Sequence, residues 1–212
     1  MNKKIESIRM NLEIEKKYLC LKNKKYEFEN YALIGIREKD IESIRKWRNN
    51  QMDILRQKEK ISKREQMQYY KSIIKIFFKK KYPDSILFTY TLNGKCIGYG
   101  GLTNIDWDSK RAELSFLVDD HRYFDSKIYA KDFFAFLNII TKLTFLELKF
   151  NRLFTETYSI RSKHLQILKK VGFQFEGKLK QHTIIKGKYV DSIIHSYLQE
   201  QYIKKNNLKK TK

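Results

Sequence analysis

The one proline of the chain, Pro83, sits where the hydrophobic period changes. Before it, Met67, Tyr70, Ile73, Ile74, Phe77 and Phe78 recur at three- and four-residue spacings, the apolar stripe of an amphipathic helix. Ser62-Lys63-Arg64-Glu65 has the pattern of a capping box, so the spacing predicts a helix from there to about Lys81. After Pro83 the period is two. Ile86–Leu92 and Lys95–Asp106 read as strands on either side of Asn93-Gly94, the strongest short hairpin signal. A helical layer must therefore pack on a sheet, which excludes both an all-helical bundle and an all-β sandwich.

The rest of the chain extends this pattern. Residues 32–38 are expected to form a strand, and Asp40 to cap a helix carrying Ile41, Ile44, Trp47 and Arg48. Residues 111–119 predict a third strand of the meander, 126 to about 150 a long helix, and Arg152–Tyr158 another strand. A helix over 161–171 is stopped by Gly172, and 173–185 with 189–198 make a hairpin across Lys186-Gly187-Lys188. The reading is an α/β (α+β) domain over residues 31–203. A charged, partly helical extension (Ile5, Ile8, Leu12) covers 1–30, and a basic mobile tail covers 204–212.

Of the 212 residues, 45 are Lys or Arg and 24 are Asp or Glu, a net charge of +21. Such a field favours anionic small molecules such as nucleotides. The charge is scattered, and no helix-turn-helix, zinc-finger or RNP-type motif accompanies it, so nucleic acid is not expected as the main partner. A hydrophobic content of 42%, with 14% aromatic, is enough to offset chain entropy and excludes wholesale disorder. Cys20 and Cys96 provide neither a disulfide framework nor zinc spacing, and no His/Asp/Glu pattern supports a metal. Apolar runs fall short of the ~20 residues that span a bilayer, and the N-terminus leads into no secretory apolar segment. A cytoplasmic protein without a membrane partner, monomer or homodimer, is expected.

Four motifs follow one another along the chain. They are Ile97-Gly98-Tyr99-Gly100-Gly101-Leu102, Arg111-Ala112-Glu113-Leu114, Val171-Gly172-Phe173, and Glu176-Gly177-Lys178-Leu179 with Gly187-Lys188-Tyr189-Val190-Asp191. In this order, over roughly residues 32–198, they resemble the GNAT acyl-CoA N-acyltransferase superfamily, and most of all its ribosomal-protein N-terminal acetyltransferase (RimJ/RimL-type) branch. The resemblance implies a mixed, mostly antiparallel central sheet, split by a V-shaped opening and flanked by helices. It also implies acetyl-CoA as co-substrate, no metal, and direct transfer of the acetyl group to an amine. The expected acceptor is an amino sugar, free or nucleotide-linked. A protein N-terminus, or a catalytically degenerate module of this fold that only binds a partner, are the alternatives.

Glu113 is the residue expected to take the acceptor's proton through water. Strand alternation puts Arg111, Glu113 and Ser115 on one face, and a carboxylate in mid-strand is poorly suited to a core. An ion pair on the sheet face, with Arg111 or a lysine, is the alternative. The resemblance implies that the backbone of Leu114, Phe116, Leu117 and Val118 holds the pantetheine. It places the pyrophosphate at the turn over 121–127, with Arg122, Asp125, Ser126 and Lys127, where free N–H groups enter the long helix.

That turn departs from the family's glycine-containing loop, because no glycine lies between 101 and 172. Either Asp125 or a neighbour takes a left-handed conformation, with Arg122 and Lys127 supplying charge, or Asp125 caps the helix that follows. The family's tyrosine acid is replaced by Leu168 and its helix-start asparagine by Arg161, which leaves Tyr158 as a substitute acid. Trp47, Arg48 and Asn49 are similar to a segment that lines the acceptor pocket in enzymes acting on nucleotide-linked amino sugars; a tryptophan core anchor is the other reading. His182, on the final hairpin, is a further acceptor-side candidate.

Overall fold

The computed structural model describes residues 17–208; the helix expected around Ile5, Ile8 and Leu12 and the end of the basic tail, 209–212, lie outside them. β1 (Lys25–Phe28) and β2 (Tyr31–Gly35) form a hairpin, and β3 (Ile86–Leu92), β4 (Lys95–Asp106) and β5 (Arg111–Val118) a meander. β6 (Arg152–Tyr158) stands between β5 and a last hairpin of β7 (Gln174–Ile185) and β8 (Lys188–Leu198). Together they make one eight-stranded sheet in the order β1-β2-β3-β4-β5-β6-β8-β7. Neighbours are antiparallel except β5 and β6. The mixed, mostly antiparallel sheet flanked by helices is the architecture expected.

The helices are α1 (Ile41–Asn50), α2 (Lys63–Tyr69), α3 (Asp120–Phe124), α4 (Ser126–Lys142), α5 (Ser162–Val171) and α6 (Gln199–Lys205). Ser62 and Glu65 cap α2 reciprocally, at 3.2 and 2.8 Å. The helix then runs through a π turn at Tyr70–Ile74 and stops at Phe77, short of the expected Lys81. α4 covers the face that carries Tyr90 and Phe116. The Phe116 ring lies 4.7 Å from both Phe133 and Phe136, and such aromatic pairs add about 0.5–1.5 kcal/mol each to area burial. α1 and α2 lie over the opposite face, above Leu87, Tyr99 and Ser115.

Two expectations gave way to tertiary packing. Within 17–30, Tyr18 and Leu21 are buried, and β1 pairs with β2 as the sheet's edge. The Tyr18 hydroxyl donates to the Leu87 carbonyl at 2.8 Å and accepts the Leu87 N–H at 2.9 Å, which ties this segment to the domain. Asp40 makes no capping bond. It is buried, with its carboxylate taken by Arg37 at 2.6 Å and Thr89 at 2.9 Å, a stronger pairing than a lone backbone amide provides. At the other end of the chain, α6 reaches Lys205, whose ammonium donates to the carbonyls of Lys170 and Val171.

Gly172 ends α5 at φ +128°, and a Cβ there would lie 2.7 Å from the Tyr197 ring, so only glycine fits. β7 is bound to β6 across β8 by the Arg152–Glu176 pair and by Ser196, which donates to Glu176 at 2.6 Å. Arg152 first, and then Ser196, hold the Glu176 carboxyl at about 2. A carboxyl depressed in the folded chain contributes stability above its ordinary value, 4.5, and that contribution is lost as pH falls toward 2. The melting temperature is therefore expected to fall through this window, and less so in Arg152→Met. Equal acid sensitivity in both proteins would show that the pair contributes nothing.

Candidate active site

β5 and β6 pair at Arg111–Arg152, Ala112–Leu153 and Glu113–Phe154, after which β6 continues with β8 alone. From Leu114 onward one edge of β5 has no strand partner. An added Cβ at Gly100 would lie 2.3 Å from the Ser115 carbonyl, and one at Gly98 would lie 2.4 Å from that of Leu117, so those two residues aim their backbone at β4. Alternation then directs the backbone of Leu114, Phe116 and Val118 into the opening. Gln51 takes the Val118 carbonyl at 2.8 Å. Of the four expected edge residues, Leu114 and Phe116 face the opening freely, Val118 is part-occupied, and Leu117 points the other way.

A cavity of about 340 Å³ fills the opening, lined by Leu55, Arg56, Glu113, Phe116, Glu156 and Arg161 among others. It shares Arg48, Thr103 and Ser115 with a second cavity of about 450 Å³ under α1 and α2. It shares Arg56, Gln57 and Glu156 with an open groove of about 920 Å³ beside the β7–β8 hairpin.

Glu113 is buried in the wall of the first of these spaces, the cavity in the opening. Its Oε1 accepts from Arg56 Nη2 at 2.6 Å, and its Oε2 accepts from Asn104 Nδ2 at 2.6 Å and Arg56 Nη1 at 3.3 Å. The ion pair that β5 makes is thus with a loop arginine. Arg111 turns to Asp106 instead, at 3.2 Å. Asn104 stands where β4 loses register with β5, at φ +47°, and the irregularity aims its amide at the carboxylate. Arg56 Nη2 also reaches Glu156 on β6 at 3.0 Å. His182 Nδ1 lies 3.2 Å from the other Glu156 oxygen and 2.8 Å from Ser192 Oγ. Glu156 had the signal that singled out Glu113, a carboxylate in mid-strand; Arg56 and Asn104 had none.

The turn after β5 uses no left-handed residue. Asp119 caps α3 through the His121 N–H at 3.0 Å, and Asp125 caps α4 through Lys127 and Ile128 at 2.9 and 3.0 Å. Asp125 has φ −81°, and the positive-φ residues of the described chain all lie elsewhere. Two short helical starts joined by an extended aspartate need no glycine. Its two amide bonds, that of Ile128 first, hold the Asp125 carboxyl below the usual range. Arg122, expected on the phosphates, turns inward to the buried Asp132 at 2.6 and 2.8 Å, because a buried carboxylate holds a guanidinium better than open solvent does. Ser126 and Lys127 remain exposed at the start of α4. Asp125→Ala is expected to lower the Tm, because two amides at the start of α4 lose their acceptor, while Asp125→Asn can make the same bonds and holds its Tm. An Asp125→Ala protein that melts with the parent would show that the cap is energetically idle.

On the acceptor side the sequence triplet separates into three roles. Trp47 is buried in the core. Arg48 lines the cavity under α1 and donates to the Tyr99 hydroxyl and to Gln57, at 2.5 and 3.1 Å. Asn49 holds the loop after α1 in place, exchanging bonds of 2.9 Å with both the N–H and the carbonyl of Ile61. Tyr158 lines the open groove with His182 and Tyr189, and not the cavity at Glu113. Arg161, which lines the opening, donates to Tyr129 at 2.9 Å. Behind it His164 is buried 2.7 Å from the same hydroxyl, and burial keeps its imidazole neutral. Burial likewise pushes the Cys20 and Cys96 thiols up to about 11 and about 12, so neither is a ready nucleophile.

No helix among the described residues is long and apolar enough to cross a membrane, and no group of three or more His, Cys, Asp or Glu among them could hold a metal. The SPbeta prophage-derived uncharacterized N-acetyltransferase YokL of Bacillus subtilis (strain 168) is 25% identical over 103 residues. Those residues are 49% of this chain and 56% of that protein, so the match spans about half the length of each. The spermidine N-acetyltransferase of Vibrio cholerae, solved in complex with CoA and spermine, superposes with a TM-score of 0.73 at 20% identity, over 83% of this chain and 99% of that one. Mutant forms of the spermidine/spermine N-acetyltransferase SpeG from the same organism superpose at 0.71 and 19% identity, over 84% of this chain and 99% of that one. At these identities the likeness is one of fold. The family model described as "Acetyltransferase (GNAT) domain" matches residues 33–194. With the parted strands and the four motifs inside that span, the chain belongs to the GNAT acetyltransferase family.

Proposed function

We propose that the protein is an N-acetyltransferase that moves the acetyl group of acetyl-CoA directly to a primary amine. One observation carries the reading: β5 parts from β6 immediately after Glu113, so an unpaired backbone edge and a buried carboxylate meet in one opening. Acetyl-CoA, when bound, supplies an activated thioester. The backbone groups of Leu114 and Phe116 are placed to hold its pantetheine amides and to stabilise charge on the carbonyl oxygen. Glu113 takes the proton of the acceptor ammonium, directly or through water. The amine nitrogen then bonds to the carbonyl carbon and the carbon–sulfur bond breaks. A thiolate of pKa ~8.5 leaves with little help, so the lack of a tyrosine beside Glu113 is no obstacle.

The phosphate end fits less closely, since Asp125 occupies the first amides of α4 and Arg122 is committed to Asp132. Arg161 lines the opening, and Lys127 is exposed in the first turn of α4. Donor affinity is accordingly expected to fall with salt, and Asp125→Asn, which removes a negative charge and keeps the cap, is expected to tighten it. Salt-independent binding in both proteins would remove these side chains from the phosphate site.

For the acceptor we favour an amino sugar. The cavity under α1 sets the hydrogen-bonding groups of Arg48, Glu59 and Gln66 beside the rings of Tyr69 and Tyr99, and its size is that of one small polar molecule. The open groove beside Tyr158 and His182 has room for a nucleotide attached to such a sugar, and it favours a protein N-terminus, as in the RimJ/RimL-type branch, as the second reading. Thermal-shift titration with acetyl-CoA, CoA and an unrelated nucleotide tests the donor. Release of the CoA thiol with glucosamine and with a tetrapeptide bearing a free α-amine tests the acceptor. No stabilisation by any CoA species at millimolar concentration would overturn the transferase reading.

A further inference from the structure

We propose that Arg56 is a displaceable occupant of the acceptor's ammonium site: an alkylammonium acceptor binds by exchanging its charged amine for the Arg56 guanidinium between Glu113 and Glu156. The proposal rests on the transferase reading and narrows its substrate class. Both oxygens of Glu113 already accept hydrogen bonds, Oε1 from Arg56 and Oε2 from Asn104 and Arg56. A carboxylate that is to take a proton must turn a lone pair toward the amine or its relay water. One of these donors has to yield.

Asn104 is a short side chain carried by β4 within the sheet, whereas the long Arg56 side chain is 52% exposed and comes from the loop between α1 and α2. The backbone of that loop is pinned on both sides of Arg56. Asn49 and Arg45 hold Ile61 on one side, and on the other the Ile54 and Leu55 N–H groups donate to the carbonyls of Gln51 and Met52, with Gln51 itself bonded to β5 at Val118. Exchange is thereby confined to one side chain, which moves on the picosecond-to-nanosecond scale of an exposed rotamer.

Charge decides what can take its place. Without the guanidinium, Glu113 and Glu156 lose the cation they share, and two like charges, one of them buried, line the same opening. An incoming cation restores the balance and a neutral amine does not. The site therefore selects alkylamines, which arrive protonated, over weakly basic aromatic amines. An arginine half open to water forms an ion pair weak enough to be exchanged.

The test uses the full chain, labelled with ¹⁵N and free of donor, titrated with propylammonium chloride against potassium chloride at equal ionic strength. Saturable shifts are expected at the Arg56 Nε–H and at the amides of Glu113 and Glu156. The dissociation constant should fall by up to about five-fold in Arg56→Ala, the upper end of what an exposed pair accounts for, with Arg56→Lys in between, and saturation should disappear in Glu156→Gln. Weaker binding in Arg56→Ala, undiminished binding in Glu156→Gln, or no saturable shift in either the parent or Arg56→Ala would each overturn the proposal. Because no donor is present, ammonium binding without CoA release in the assay above would count against the transferase reading alone.

Discussion

Glu113→Gln is expected to lower kcat about 100- to 10,000-fold, the usual worth of a positioned general base, while the dissociation constant for acetyl-CoA changes little. The substitution keeps the size of a buried side chain whose surroundings are built for an acceptor of hydrogen bonds. A glutamine amide cannot take a proton from an ammonium, and the reaction must then wait for the small fraction of acceptor that is already neutral. That fraction rises tenfold per pH unit, so the deficit should shrink at alkaline pH. A kcat within a few-fold of the parent at neutral pH would assign Glu113 to structure. A deficit of the same size at every pH would point to lost geometry rather than a lost base.

The largest stability effect is expected at Asp132, which is fully buried on α4. Its carboxylate receives two bonds from Arg122 and one from the Tyr31 hydroxyl at 2.9 Å, and its carbonyl receives the Tyr90 hydroxyl at 2.8 Å. The carboxylate thus ties α3, α4 and β2 together behind the turn. Asp132→Ala leaves a largely buried guanidinium without its counter-ion and the Tyr31 hydroxyl without an acceptor. Removing one partner of such a pair costs about 3 kcal/mol or more, which in a chain of this size is a Tm lower by at least about 6 °C. The Arg122 side chain is 22% exposed, which holds the figure to the lower end of that range. A Tm within about 2 °C of the parent would mean that Arg122 finds water or another partner without loss.

Much of the fold was legible because period and punctuation are local properties. The change of period at Pro83, the Asn93-Gly94 turn, the Ser62 capping box and the Gly172 stop each act over a few residues, and each stands where the sequence placed it. β1 escaped because it is four residues long, with charged Lys25 and Glu27 alternating with aromatics, and its strand character comes from pairing with β2. The cap expected at Asp40 failed for a related reason. Thr89, far along the chain, meets its carboxylate only after β3 is laid down.

At the site the divide runs between residue type and residue partner. A carboxylate in the middle of β5, the glycine-free turn, and an arginine and asparagine at the end of α1 were all visible in the sequence, since each is a chemical anomaly at its own position. What each of them touches was not. Arg56 reaches Glu113 across 57 residues and Glu156 across 100, and Asn104 is aimed at Glu113 by a local loss of register that no residue pattern announces. Arg122 was legible as a cation, but its direction is set by Asp132, one helix away, rather than by a phosphate. The order of most elements and the side chains that stand out chemically at their own positions follow from the sequence alone, because hydrophobic periodicity and side-chain chemistry are written residue by residue. Which charges are paired, which backbone edge is open and which amides are already capped were decided by the tertiary structure, because a hydrogen bond or ion pair depends on distance and direction between groups that meet only in the folded chain.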